Sequence, residues 1–210
     1  MKFERPLQEK ELNILDLELD RTTVALRRQL RFSSIWASIA LIIGTIAYFK
    51  IDPRSTIVLF LTVAAYVGVG VWVFLEQRLK QNRRQKSIAY LKNKNQVTVV
   101  QVHSDTYYLL EEQEDEGVFY LFQLANNKVF SFGGQDFYED DKFPSNNFEI
   151  VEGRGIKNEI LILETYINGE KIKPTKVISG KEKWDLLGST HYPNPEKLTV
   201  ADGRIEDYIK

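Results

Sequence analysis

Phe32–Phe49 reads FSSIWASIALIIGTIAYF and Ile57–Leu75 reads IVLFLTVAAYVGVGVWVFL, and neither run holds an Asp, Glu, Lys, Arg or His. Each is close to the length a helix needs to cross a hydrocarbon core, roughly 17–25 residues. Two buried core helices are the competing explanation. The rest of a 210-residue chain offers too little protein to surround two helices that are apolar on every side. Lys50–Thr56, which joins the runs, contains Asp52, Pro53 and Arg54 and is too short for anything but a turn between antiparallel neighbours. Trp36, Tyr48 and Trp72 lie near the ends of the runs, where amphipathic rings settle at a membrane interface. The expectation is a two-span transmembrane hairpin.

Working outward, Arg21, Arg27, Arg28 and Arg31 precede the first span, and Arg78, Lys80, Arg83, Arg84 and Lys86 follow the second; the turn has only Lys50 and Arg54. The positive-inside rule then places both termini in the cytoplasm, in the cell inner (plasma) membrane. The cluster Arg78, Lys80, Arg83, Arg84 and Lys86 is expected to set topology and to meet anionic lipid headgroups. It is short and lacks interleaved aromatics, which argues against nucleic acid as a partner. Ala64 with Gly68, and Gly70 and Gly44 nearby, would let backbones approach closely. With no Asp, Glu, Lys, Arg or His in either span, a proton relay or ion pathway built from such side chains has no material.

Leu12, Leu15, Leu19, Thr22 and Leu26 recur at three- and four-residue spacing, so residues 7 to 31 read as an amphipathic helix entering the first span. The same spacing fits a short coiled-coil seam, through which residues 12–30 and the spans would form a homo-oligomer; packing against the chain's own domain or the membrane surface is the simpler account. Glu76 to Lys92 continues the second span as a helix. Residues 1–94 carry 16 Lys and Arg against 8 Asp and Glu, a net of +8, and residues 95–210 carry 12 against 21, a net of −9. A basic collar beside the bilayer and an acidic soluble domain held off it follow from that division.

Beyond Lys94 the period changes to that of strands. Val97–His103, Tyr107–Glu111, Val118–Leu124, Lys128–Phe132, Phe148–Glu152, Glu159–Ile167, Glu170–Lys173 and Lys176–Ile178 are rich in β-branched and aromatic residues. The fold class is therefore α+β: a membrane hairpin with flanking helices over 1–94, then a mainly-β small barrel or sandwich over 95–210. Val118, Tyr120, Phe122 and Leu124 alternate with Phe119, Leu121 and Gln123, so this strand is apolar on both faces and belongs inside a sheet. Asn168-Gly169 is the strongest signal for a two-residue hairpin turn and Asn126-Asn127 a weaker one. Leu198–Val200 and Ile205–Ile209 flank a turn at Asp202-Gly203, with a last strand or a short helix expected after it.

Catalytic chemistry finds little support. There is no Cys, and His103 and His191 stand in no metal-ligand or triad spacing. The acidic runs at 111–116 and 136–141 lack the alternation and central glycine of a calcium loop, so they read as solvated tips, and no metal, cofactor or catalytic residue is assigned. The suggestive segment is Phe132–Tyr138, FGGQDFY, because paired glycines beside aromatics admit a second backbone or a flat ligand; a strand end turning sharply into a loop is the simpler reading. Ligand-binding candidates are Gly133, Gly134, Asp136, Tyr138, Arg154, Lys173 and Trp184, with Lys171 and Lys176 as further bases for an anionic ligand.

Glu116–Tyr120, Gly133–Tyr138, Phe143-Pro144 and Phe148–Val151 carry a resemblance to a group of bacterial proteins that pair an N-terminal membrane hairpin with a C-terminal β domain. The resemblance covers about a sixth of the chain and implies a bacterial inner-membrane protein without an assigned activity. In plan alone the chain is also similar to two-span anti-phage effectors whose β-barrel binds a cyclic nucleotide. The expected function is a membrane-anchored, non-enzymatic binding or sensing module whose cytoplasmic β domain recognises a small molecule or protein. The alternatives are a nucleotide-gated membrane effector and, last, a hydrolase using Asp136, Asp140 or His191.

Overall fold

In the computed structural model, residues 1–50, 56–189, 192–195 and 198–209 are described. The turn residues Asp52, Pro53 and Arg54, the side chain of Tyr48, and His191 lie outside the described residues. The chain forms two compact units: Met1–Pro6 with Gln96–Gly153 and Leu163–Lys210, and Leu7–Asn95 with Arg154–Ile162. The boundary at residue 95 matches the change of period in the sequence, while the first six residues join the strands and the 154–162 segment joins the helices.

The helical unit is built on α1 (Glu9–Lys50) and α2 (Thr56–Lys94). At the start of α1, Leu12 N–H donates to the Gln8 carbonyl at 3.0 Å, and the Gln8 amide donates to the Glu11 carboxylate. Glu9 and Glu11 in the first turn suit the positive end of the helix dipole. α2 ends at Asn95, whose left-handed φ of 49° lets its amide bond the Leu91 carbonyl at 2.9 Å. The Asn95 side chain accepts from the Leu7 amide at 3.2 Å, so the entry to α1 is tied to the exit from α2.

Both helices are long and apolar enough to cross a membrane, and 6% and 0% of their most apolar windows is buried inside the molecule. At 42 residues α1 is about 63 Å long, roughly twice a hydrocarbon core. Its charged half runs beside the charged half of α2 as a stalk. Arg84 meets Glu18 at 3.3 Å, Gln85 donates to Thr22 at 3.3 Å and Lys92 pairs with Asp16. Leu15 is fully buried, and Leu12, Leu19, Thr22 and Leu26 are half-buried. In the apolar half Trp36 stacks on Tyr66 with centroids 4.7 Å apart. Gly70 seats the edge of Trp36, and Gly44 seats Val63, each at 3.5 Å from the position a Cβ would take. Ala64 is exposed and Gly68 has no neighbour within 4 Å, so that small-residue pair faces away from α1.

The strand unit holds two open sheets and, among the described residues, no closed barrel, so the barrel expectation gives way to a two-sheet, sandwich-type packing. One sheet has the order β1 (Lys2–Arg5), β2 (Val97–His103), β6 (Asn147–Arg154), β7 (Ile160–Ile167). The other has the order β8 (Lys176–Ile178), β3 (Tyr107–Leu110), β4 (Val118–Leu124), β5 (Lys128–Gly134), β9 (Thr199–Asp202), with β3 and β8 parallel. Val100, Val102, Phe148 and Ile150 of the first sheet meet Tyr107, Tyr120, Phe122, Phe130 and Phe132 of the second in one buried aromatic core. Phe122 stacks on Tyr107 at 4.9 Å and meets Phe148 edge-on at 5.2 Å, the offset and T-shaped arrangements aromatic quadrupoles favour. As the alternation in β4 predicts, its other residues Phe119 and Leu121 are also buried. They pack with Leu186 of α3 (Gly180–Leu187) and with Ile205 of a closing 3-10 turn (Ile205–Tyr208).

Several local expectations change. Asn126 and Asn127 carry positive φ, 61° and 51°, and join β4 to β5, whereas Asn168 and Gly169 do not adopt that conformation. At Gly169 the chain kinks and continues beside 144–147, with Ile172 N–H bonding the Pro144 carbonyl at 3.0 Å. A Cβ at Gly169 would lie 2.2 Å from the Asn146 side-chain oxygen, so the glycine serves close approach and not a hairpin. Glu170–Lys173 makes a single bridge, Ser145 with Lys171, in place of a strand. Of the strand and short helix expected as alternatives after Asp202-Gly203, the chain forms a 3-10 helix at Ile205–Tyr208, whereas β1 and α3 have no counterpart among the sequence expectations.

Candidate functional site

Phe132–Tyr138 begins as the end of β5, with Gly133 opposite Phe119 and Gly134 opposite Val118. The space that the missing Cβ of Gly133 leaves is taken by the chain's own Phe119, whose ring carbon would lie 2.2 Å away. A Cβ at Gly117 would in turn strike the Gly134 backbone at 2.3 Å. Gly133 therefore serves the close approach of β5 to β4, and Gly117 that of the preceding turn to Gly134. Gln135–Phe137 follows as a 3-10 turn, pinned by buried Phe137 edge-on to Phe132 at 5.0 Å. That turn carries Asp136 and then Tyr138 to the surface.

The acidic turn 111–116 packs beside this segment. Gln135 donates to the Asp115 carbonyl at 2.8 Å, and the Tyr138 hydroxyl donates to the Glu112 carboxylate at 2.9 Å. That bond to Glu112 raises the Tyr138 pKa, so the hydroxyl stays protonated at neutral pH. Glu116 is not a solvated tip residue: it accepts from the amides of Gln113 and Glu114 at 3.0 and 2.9 Å and from the ammonium of Lys183. The Lys183 bond, first among these causes, holds its carboxyl at about 2.

Lys183 is the residue that sequence reasoning missed. It sits on α3 beside Trp184, and its side chain is fully buried. The ammonium also donates to the Glu111 carbonyl and lies 5.0 Å from the Phe119 ring centroid and 5.4 Å from that of Trp184. A charge taken this far out of water persists only with such partners. Nothing in KEKWDLL distinguishes it from Lys181; only its three-residue spacing from Leu186, a buried position on the same helical face, offers a signal.

The structure thus brings Gly133, Gly134, Asp136 and Tyr138 into one segment, linked through the acidic turn to Lys183 and Trp184. Arg154 belongs to the helical unit, where it donates to the Asn158 carbonyl at 2.9 Å. Lys173 is exposed on the segment after β7. Lys171 pairs with Glu139 at 2.8 Å and Lys176 with Glu182 at 2.6 Å. Asp140 is occupied by the amides of Lys142 and Phe143, both at 2.7 Å, which lower its pKa. Of the collar, Lys80 pairs with Glu76 at 3.2 Å and Arg84 with Glu18, while Arg78, Arg83 and Lys86 are exposed.

Chemically the cluster is a clasp. Lys183 donates to the Glu111 carbonyl and to the Glu116 carboxylate, and the latter bond lowers the pKa of the Glu116 carboxyl to about 2. What it displays outward is Tyr138 and Trp184, 47% and 45% exposed, with the carboxylates Glu114, Asp115 and Asp136. No family model, curated protein or solved structure matches this chain.

Proposed function

We propose that the chain is a membrane-anchored, non-enzymatic binding or sensing module. The hairpin crosses the inner membrane with both termini in the cytoplasm, and the strand unit presents the Tyr138–Trp184 clasp to a partner. The observation that carries the reading is the division of labour along the chain. The spans hold no Asp, Glu, Lys, Arg or His, and the Glu116 carboxylate of the strand unit, its pKa lowered to about 2, is bonded to a lysine inside the fold.

Exposed aromatics beside carboxylates that form no ion pair among the described residues suit a cationic partner, such as a basic peptide segment, whose ammonium or guanidinium groups pair with carboxylates and stack on rings. A net charge of −9 over residues 95–210 works against an anionic nucleotide. Two measurements test this. A reporter fused after the C-terminus is active on the cytoplasmic side, and one active only on the far side overturns the topology. The full chain in nanodiscs binds Arg- and Lys-rich peptides in a salt-sensitive way that Tyr138→Ala weakens. Saturable binding of a cyclic nucleotide in the same assay overturns the assignment of partner.

A further inference from the structure

Between α1 and α2, at the level where the apolar runs meet the charged stalk, lies a groove of about 1100 Å³. Its lining is graded. At one end are Arg28 of α1 and Gln77 and Gln81 of α2; at the other are Trp36, Gly70 and Phe74. The polar end opens among Arg27, Arg31, Arg78 and Lys80, all exposed on the neighbouring turns. Arg28 lies one helical turn before Phe32, where the uncharged run begins, and Gln77 lies two residues past Leu75, where the other ends. The gradient from cation to hydrocarbon therefore coincides with the water-to-lipid boundary that the sequence sets.

Gly70 keeps the apolar end open. It lies against the edge of Trp36, and the Trp36–Tyr66 stack forms a flat wall there. A longer side chain at position 70 would occupy the space. The groove's shape and polarity match a single amphiphile: an anionic head beside Arg28, and an acyl chain lying along Trp36 and Phe74.

We infer that this groove is a binding site for an anionic phospholipid of the bilayer, with Arg28 holding the phosphate and Trp36 flanking the acyl chain. The inference rests on the hairpin reading above, and flotation of the full chain with liposomes checks that reading separately. For the site itself, the full chain carrying Trp72→Phe and Trp184→Phe leaves Trp36 as its single reporter. It is reconstituted in phosphatidylcholine vesicles containing increasing brominated phosphatidylglycerol or brominated phosphatidylcholine. The brominated anionic lipid quenches Trp36 saturably, at about fivefold lower mole fraction than the zwitterionic one, the preference one basic residue confers near an anionic surface. Arg28→Gln removes the preference, and Gly70→Leu removes the saturable component for both lipids.

Equal quenching by the two lipids in a chain that floats with vesicles overturns the site while leaving the hairpin intact. So does a Trp36 shielded from both lipids, the result if a second copy fills the groove. A chain that fails to float overturns the membrane reading beneath it.

Discussion

The Lys183–Glu116 pair is unequal, because the lysine side chain is fully buried while the glutamate keeps 20% of its exposure. Glu116→Gln preserves shape but strands the ammonium, leaving it the Glu111 carbonyl and the faces of Phe119 and Trp184. A buried charge deprived of its counter-ion costs about 3–5 kcal/mol. Lys183→Met removes the ammonium and keeps most of the stem. The carboxylate left behind still accepts from the amides of Gln113 and Glu114 and reaches water, so the loss is about 1–2 kcal/mol. The double substitution falls near Lys183→Met alone, since the charge that Glu116→Gln strands is gone.

Acid reads the same pair. Glu116 titrates at about 2 in place of 4.5. A lowered carboxyl contributes stability that is complete above the unfolded value and lost as pH falls through the folded one. The wild type therefore loses the contribution of the pair between about pH 4.5 and 2, and Lys183→Met is flatter over that window. Urea unfolding of the full chain in micelles, followed by Trp184 emission with Trp36→Phe and Trp72→Phe, gives the midpoint shift at constant slope. A Lys183→Met chain as unstable as Glu116→Gln, or a double variant as unstable as Glu116→Gln, would refute the reasoning.

Other outcomes follow from single positions. Gly133→Ala drives a methyl into Phe119 and costs about 1–3 kcal/mol by the same unfolding assay. Gly155→Ala places a Cβ 2.6 Å from a Glu159 carboxylate oxygen and 2.9 Å from Ser87. It therefore displaces Glu159 from the Ser87 hydroxyl, and amide exchange across Arg154–Ile162 accelerates while α3 is unchanged. Asn126→Val forces a β-branched residue to φ 61° and destabilises by about 1–2 kcal/mol, whereas Asn126→Gly stays within a few tenths. Phe122→Ala, at the centre of the aromatic core, costs about 3–5 kcal/mol.

What was legible in the sequence was whatever a period or an uncharged run encodes. The helices followed from composition, and β4 was placed inside a sheet because both of its faces are apolar. Features that depend on a tertiary partner were not legible. β1, KFER, has no apolar alternation and is largely exposed; it is a strand because its residues pair with Val97–Val100. Asn168-Gly169 has the composition of a hairpin turn, yet Gly169 is demanded by the nearness of Asn146 and not by φ. In the candidate site, Tyr138 and Trp184 are named by the sequence only as aromatics among candidate ligand contacts; their exposure is set by tertiary packing. Lys183 and Glu116 were not among them, because no local pattern tells a buried, paired charge from a solvated one.

The bonding within the helical unit bears on what the hairpin does. A gate works by separating or rotating its helices, which requires few fixed contacts along the seam. Here the stalk is closed by Leu7–Asn95, Asp16–Lys92, Glu18–Arg84 and Thr22–Gln85. The Arg154–Ile162 segment is held in the same unit, where Ser87 donates to Glu159. Separating the two helices along the stalk would break those ties one after another, including the side-chain bond that joins the start of α1 to the end of α2. Exposed ion pairs contribute little singly, but a bonded seam of this length makes independent motion of α1 and α2 costly. The seam thus bonds α1 to α2 along the stalk, beside apolar runs that hold no Asp, Glu, Lys, Arg or His.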